Sequence, residues 1–123
     1  MKRVLIVEDE QLLQEVYKIV LETSGYEVIT ATNGLEGINR LKEKTPDLIL
    51  LDLFMPVMDG KEFLGNFDQA QYPHTKIIVY TNLSDGTTET EVMALGADRF
   101  VLKASMTPQD LARLVDEVLA EKS

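Results

Sequence analysis

The sequence predicts an α/β fold in which a parallel sheet carries helices on both faces. Three observations lead there. Short apolar runs alternate with segments of helical spacing five times along the 123 residues. One run, Leu48-Ile49-Leu50-Leu51, is apolar at every position, as suits a strand buried on both faces. Turn-forming residues bound it, Pro46-Asp47 before and Pro56 with Asp59-Gly60 after.

Residues 2–7 (KRVLIV) read as the first strand, stopped by Glu8-Asp9-Glu10. Leu12, Leu13, Val16, Ile19 and Val20 follow at helical spacing, and Ser24-Gly25 ends that helix. Tyr26–Ala31 forms the second strand. Asn33-Gly34 opens a helix to about Lys44, with Leu35, Ile38 and Leu41 inward, and Thr45-Pro46 breaks it. Residues 48–52 make the central strand. A modest helix runs from Lys61 to about Ala70, and Lys76–Tyr80 is the fourth strand, followed by Thr81-Asn82. Ser84–Leu95 is helical with a weak first turn, because Asp85-Gly86-Thr87-Thr88 is poor helix sequence. Arg99–Leu102 is the fifth strand, followed by Lys103. Thr107-Pro108-Gln109-Asp110 starts the last helix, whose apolar face is Leu111, Leu114, Val115, Val118 and Leu119. No linker, repeat or low-complexity stretch interrupts the series, so residues 1–123 are expected to form a single domain. Glu121-Lys122-Ser123 is expected to fray.

Composition excludes several classes of function. A formal net charge of −9 opposes direct contact with nucleic acid. The absence of cysteine removes disulfides, thiol catalysis and cysteine-ligated metal, and one histidine is too few for a zinc site. Val4–Val7 is shorter than the run of about 7–15 apolar residues a signal peptide needs, and no stretch is long enough to span a bilayer. The cytoplasm is the expected compartment, with no membrane partner.

A parallel sheet gathers its carboxyl ends on one edge, where ligands of open α/β sheets bind. That edge collects Glu8 and Asp9 from the first strand, Asp52 from the third, Thr81 and Asn82 from the fourth and Lys103 from the fifth. Two carboxylates about 4 Å apart repel by roughly 4 kcal/mol at an effective dielectric near 20, so a proton or a cation must relieve them. All-oxygen ligands with open positions suit Mg²⁺ (or Mn²⁺). A metal held by acids beside a bare Asp52, with Lys103 to neutralise charge and Thr81 to donate a hydrogen bond, is equipment for phosphoryl transfer to Asp52. Taken singly, these residues have ordinary structural roles. Glu8 and Asp9 suit a helix N-terminus, Thr81 its own backbone, Phe100 the core, and His74 and the Arg99, Arg113, Asp116 and Glu117 set a solvated surface.

VLIVEDE, LLDLFMPVMDG, Thr81 after the fourth strand and GADRFVLK together resemble the receiver domain of two-component response regulators, over essentially the whole chain. The resemblance implies a doubly wound, flavodoxin-like sheet of strand order 2-1-3-4-5. It implies that Asp52 takes a phosphoryl group from a histidine kinase or histidine phosphotransfer domain. Mg²⁺ would be held by Glu8, Asp9, Asp52 and the backbone carbonyl of Phe54. Lys103 would pair with the phosphoryl group, Thr81 would follow it inward, and Phe100 would rotate in concert, changing the surface of the fourth helix, fifth strand and fifth helix for a downstream target or fused effector domain. A monomer, or a weak phosphorylation-dependent dimer, is expected. The chain departs from the family in two places. Lys103-Ala104 stands where the family usually has Lys-Pro with a cis bond, and a cis bond before a non-proline residue costs about 2.5–4 kcal/mol, so the chain carries that strain or follows another path. Asn82 stands where the family most often has a small residue such as Ala, narrowing the approach to Asp52. Phe54 and Leu83, each two residues past a site residue, are expected to exclude water and prolong the phosphorylated state.

Other functions fit less well. An aspartate phosphatase would need a second acid at position 54, where Phe54 stands, and a flavin carrier a glycine-rich phosphate loop where Glu8-Asp9-Glu10 stands. The alternative that keeps the fold is a pseudo-receiver that docks proteins without being phosphorylated.

Overall fold

The structure is a computed structural model that describes residues 1–82 and 86–121. Its strands are β1 (Arg3–Val7), β2 (Glu27–Ala31), β3 (Leu48–Asp52), β4 (Lys76–Thr81) and β5 (Arg99–Leu102). Its helices are α1 (Gln11–Thr23), α2 (Gly34–Glu43), α3 (Gly60–Asn66), α4 (Gly86–Ala94) and α5 (Pro108–Ala120). All strand pairs are parallel and the order is β2-β1-β3-β4-β5, a doubly wound flavodoxin-like sheet. β3 lies at the centre with all five residues buried, as its unbroken apolar run requires.

Strand alternation divides the core into two. Leu5, Val7, Ile49, Leu51, Ile77 and Val79 face the side where Leu41, Phe63 and Val92 of α2, α3 and α4 pack. Val4, Ile6, Leu48, Leu50, Ile78 and Tyr80 face Tyr17 and Leu21 of α1 and Leu111, Val115 and Val118 of α5. The register pairs Val7 with Leu51, Asp52 with Tyr80 and Thr81 with Leu102. The carboxyl ends of β1, β3, β4 and β5 therefore finish level.

Helix starts follow their local chemistry. The Asn33 side chain accepts the Glu36 N–H at 2.8 Å, and Asp59–Glu62 and Thr107–Asp110 form reciprocal capping boxes. Gly25, past the end of α1, has φ +99° as expected of a left-handed cap.

Several expected details are corrected. In α1, Leu12 is 73% and Ile19 63% exposed, and Val16 is also exposed. The inward line is Gln14, Tyr17 and Leu21, disguised because its first member is polar. Leu35 of α2 is exposed, and the face turned inward begins with Gly34 and Gly37. A Cβ on Gly37 would meet Phe63 at 3.0 Å and Val7 at 3.2 Å, so close helix–sheet approach replaces an apolar side chain there. α3 stops at Asn66, short of Ala70, because Asp68 builds a turn: its carboxylate accepts the Ala70 N–H at 3.0 Å and its carbonyl accepts those of Gln71 and Tyr72. Phe67 and Tyr72 stack there with ring centroids 5.3 Å apart. The described part of α4 begins at Gly86; Leu83, Ser84 and Asp85, and the expected fraying of Lys122 and Ser123, lie outside the described residues. The peptide bond between Lys103 and Ala104 is trans, and Lys103–Ser105 forms a 3₁₀ turn, so the chain takes the alternative path.

The β3–α3 loop holds a strained residue. Val57 has φ +69°, and Met58 N–H donates to the Pro56 carbonyl at 2.7 Å, closing a three-residue turn of the unfavourable positive-φ kind. The turn is anchored from outside, since Gly34 N–H donates to the Met58 carbonyl at 2.8 Å. A β-branched residue in this region costs of order 1–3 kcal/mol, while glycine there loses roughly 1 kcal/mol through the unfolded chain. Val57 is 74% exposed and contributes little packing. Val57→Gly is therefore expected to raise stability by about 1 kcal/mol, shifting Tm up by about 4 °C in calorimetry; a lower Tm would contradict the strain.

Candidate functional site

Three carboxylates meet at the point where the strand order reverses between β1 and β3. Glu8, Asp9 and Asp52 each offer an oxygen within 4.8 Å of the others. Glu8 is fully buried, Asp52 is 4% exposed, and Asp9 is open to solvent. Lys103 reaches in from the 3₁₀ turn after β5, its Nζ 3.0 Å from Glu8 Oε1 and 3.4 Å from Asp52 Oδ2. The ammonium also lies 5.0 Å from the centroid of the Tyr80 ring. Asp52 Oδ1 accepts the Leu53 N–H at 2.8 Å. Thr81 ends β4 fully buried, beside the strand that carries Asp52.

The acids divide their protons unequally. Burial pushes Glu8 up, but the Glu10 N–H, Lys103 and the Tyr80 hydroxyl outweigh it and hold Glu8 below the usual carboxylate range. Burial and the Glu8 charge push Asp52 up to about 7, against the pull of Lys103. Burial and Glu8 also raise Asp9. Burial lowers Lys103, but Glu8 and Asp52 more than reverse this and keep it charged. The pocket thus carries more negative charge than its single ammonium neutralises. Its oxygen-only donors, with Asp9 facing solvent, fit a hard divalent cation such as Mg²⁺ or Mn²⁺.

The other expected residues lie further out. Phe54 follows β3 and is 60% exposed, and Asn82 follows β4, also exposed. Leu83, its expected companion in excluding water, is outside the described residues. Phe100 on β5 is partly buried against the α2–α4 side of the core. It also lines a cavity of about 380 Å³ with Glu89, Val101, Leu102 and Met106. His74 is exposed, and Arg113, Asp116 and Glu117 are exposed as expected.

Two contributors were not read from the sequence. Gln14 is buried and its Nε2 donates to the carbonyls of Glu8 and Ala31, 3.0 Å each, tying α1 to the ends of β1 and β2. Tyr80, 1% exposed, donates its hydroxyl to Glu8 Oε1 at 3.0 Å. The available signals were a polar residue on the inward line of α1 and a hydroxyl one residue before Thr81 in a strand that otherwise reads as core.

Residues 4–116 match the response regulator receiver domain family. Chemotaxis protein CheY of Thermotoga maritima is 35% identical over 103 residues, 83% of this chain and 85% of that protein. The phosphate regulon transcriptional regulatory protein PhoB of Rhizobium meliloti is 35% identical over 115 residues, which make up 91% of this chain but 50% of PhoB. The chain spans half or less of the length of PhoB and of the other curated relatives that rank with it. The crystal structure of response regulator protein TrrA from Thermotoga maritima in complex with Mg²⁺-BeF superposes with a TM-score of 0.82 at 34% identity, covering 96% of this chain and 99% of that one. Strand order, acid cluster and a match over nearly the whole sheet agree, and the chain belongs to the response regulator receiver domains of two-component signalling.

Proposed function

We propose that Asp52 is the phosphoacceptor of a two-component switch, and that residues 1–123 act as one receiver unit. The observation that carries this is the convergence of Glu8, Asp9 and Asp52 within 4.8 Å beneath the ammonium of Lys103. An Asp52 oxygen attacks phosphorus, the bond from phosphorus to the donor's phosphohistidine nitrogen breaks, and an acyl phosphate forms. Glu8, Asp9, Asp52 and the Phe54 carbonyl would hold Mg²⁺ or Mn²⁺. Bound there, the cation neutralises charge on the transferring oxygens. Lys103 supplies the second positive charge, and Thr81 donates to a phosphoryl oxygen once the group is in place. The protein acts on itself alone and is a signalling module more than an enzyme. The TrrA structure supports the reading, since a relative of the same fold is in complex with Mg²⁺-BeF.

The donor is a histidine kinase or histidine phosphotransfer domain. The output is a change in the surface of α4, β5 and α5, with Phe100 turning beside the cavity it lines. A downstream protein or a fused effector domain reads that surface; relatives such as PhoB are named as transcriptional regulators. The net charge of −9 argues against this chain touching nucleic acid itself. Among the described residues no helix is long and apolar enough to cross a membrane. The proposed setting is the cytoplasm, and the proposed state a monomer or weak dimer.

Incubation with acetyl phosphate and Mg²⁺ is expected to add one phosphoryl mass to the intact protein, and Asp52→Asn is expected to abolish it. An unmodified wild-type protein would favour the docking-only reading, and labelling of the variant would place the acceptor elsewhere. Protonation gives a separate check. Asp52 titrates near 7 when folded, against an ordinary value of 3.8. The folded state then binds the proton more tightly, so the Asp52 contribution is full below about pH 4 and is lost as pH rises through about 7. At pH 8 the wild type bears the whole cost of the buried charge, and Asp52→Asn bears none. The stabilisation by Asp52→Asn in EDTA is expected to be larger at pH 8 than at pH 5 by about 2 kcal/mol in urea unfolding; an equal effect at both pH values would contradict the shift.

A further inference from the structure

Glu8 is the most deeply buried acid of the pocket, and three donors from three separate elements hold it. Oε2 accepts the Glu10 N–H at 3.1 Å at the start of α1. Oε1 accepts both Lys103 Nζ and the Tyr80 hydroxyl, each at 3.0 Å. These two donors differ in what else they must do. Lys103 is shared with Asp52 at 3.4 Å, on a turn after an edge strand. Tyr80 is fixed: its backbone lies in β4 opposite Asp52, and its ring meets Tyr17 edge-on, with centroids 5.5 Å apart at 80°. The reaction proposed above gives Tyr80 no role, although its hydroxyl is the only side-chain donor to Glu8 from within the sheet among the hydrogen bonds of the described residues.

We propose that Tyr80 is a positioning residue for cation binding: its hydroxyl keeps the Glu8 carboxylate aimed into the pocket independently of Lys103. The inference rests on the reading of Glu8, Asp9 and Asp52 as the holders of Mg²⁺. Once Asp52 carries a phosphoryl group, the new negative charge draws Lys103 away from Glu8. Without Tyr80, Oε1 would then be a buried anionic oxygen with no donor, and Glu8 would swing to find one. With Tyr80, Glu8 stays put while Lys103 changes partner. Outer partners of this kind orient metal-holding groups, and their loss typically weakens metal binding by about 10–100-fold.

Tyr80→Phe removes the hydroxyl alone and retains the ring against Tyr17 and Lys103. Mg²⁺ affinity is measured by calorimetric titration of the wild type, Tyr80→Phe, Glu8→Gln and the double variant, with Tm recorded for each; Tyr80→Met serves if the Phe variant folds poorly. The expected result is a tenfold or greater weakening of Mg²⁺ binding by Tyr80→Phe that disappears in the Glu8→Gln background, because the hydroxyl acts only through that carboxylate. Wild-type affinity in Tyr80→Phe, or an undiminished loss in the Glu8→Gln background, would overturn the positioning role and leave the phosphoacceptor reading intact. Failure of the wild type itself to bind Mg²⁺ at millimolar concentration would overturn both.

Discussion

Most of this structure serves to keep like charges together. Glu8 and Asp52 lie almost without solvent, and Asp9 closes the same cluster. Coulomb repulsion and desolvation both oppose the arrangement. The fold meets that cost with a rigid frame: β1 and β3 are adjacent, in register and buried, so neither acid-bearing strand end can relax away from the other. Lys103 crosses from the far edge of the sheet to sit between Glu8 and Asp52. The residual imbalance falls on Asp52, whose carboxyl holds its proton to about pH 7. A pocket in this condition would be relieved by a cation or by a proton.

The frame was legible because it rests on strong local signals. An unbroken apolar run, proline and glycine punctuation, and a Thr-Pro helix start each have one structural reading. The acids, Thr81 and Lys103 were legible too, since strand ends of a parallel sheet share one edge whatever their separation in sequence. What escaped was decided by tertiary contact. Gln14 broke the apolar stripe of α1 because two strand-end carbonyls need its amide. Glycines hid the inward face of α2 because Met58 at Gly34, and Phe63 and Val7 at Gly37, occupy the space a side chain would fill. Tyr80 read as core because its ring is core, and only the three-dimensional distance to Glu8 reveals the hydroxyl's use.

The Lys103–Ala104 segment bears on the same balance. A trans bond and a 3₁₀ turn bring Lys103 to the pocket, with Met106 N–H closing the turn on the Lys103 carbonyl at 3.3 Å. The ammonium position therefore depends less on a locked peptide geometry than on the anions that attract it. An ammonium placed by attraction follows the charge, and under the proposed function a change of charge at Asp52 would pull on the turn.

How that pull spreads is set by unequal burial across the sheet. β3 is buried throughout, and β1 beyond Arg3 likewise, packed from both sides. β5 is an edge strand of four residues, every one only partly buried, and Phe100 stands beside open space. Local opening concentrates where burial is thin. Asp52 ends a fully buried strand and Glu8 follows another buried one, while Lys103 follows a strand that is only partly buried. Under the proposed function, charge added at Asp52 would be met first at Lys103, whose turn follows the least buried strand of the sheet.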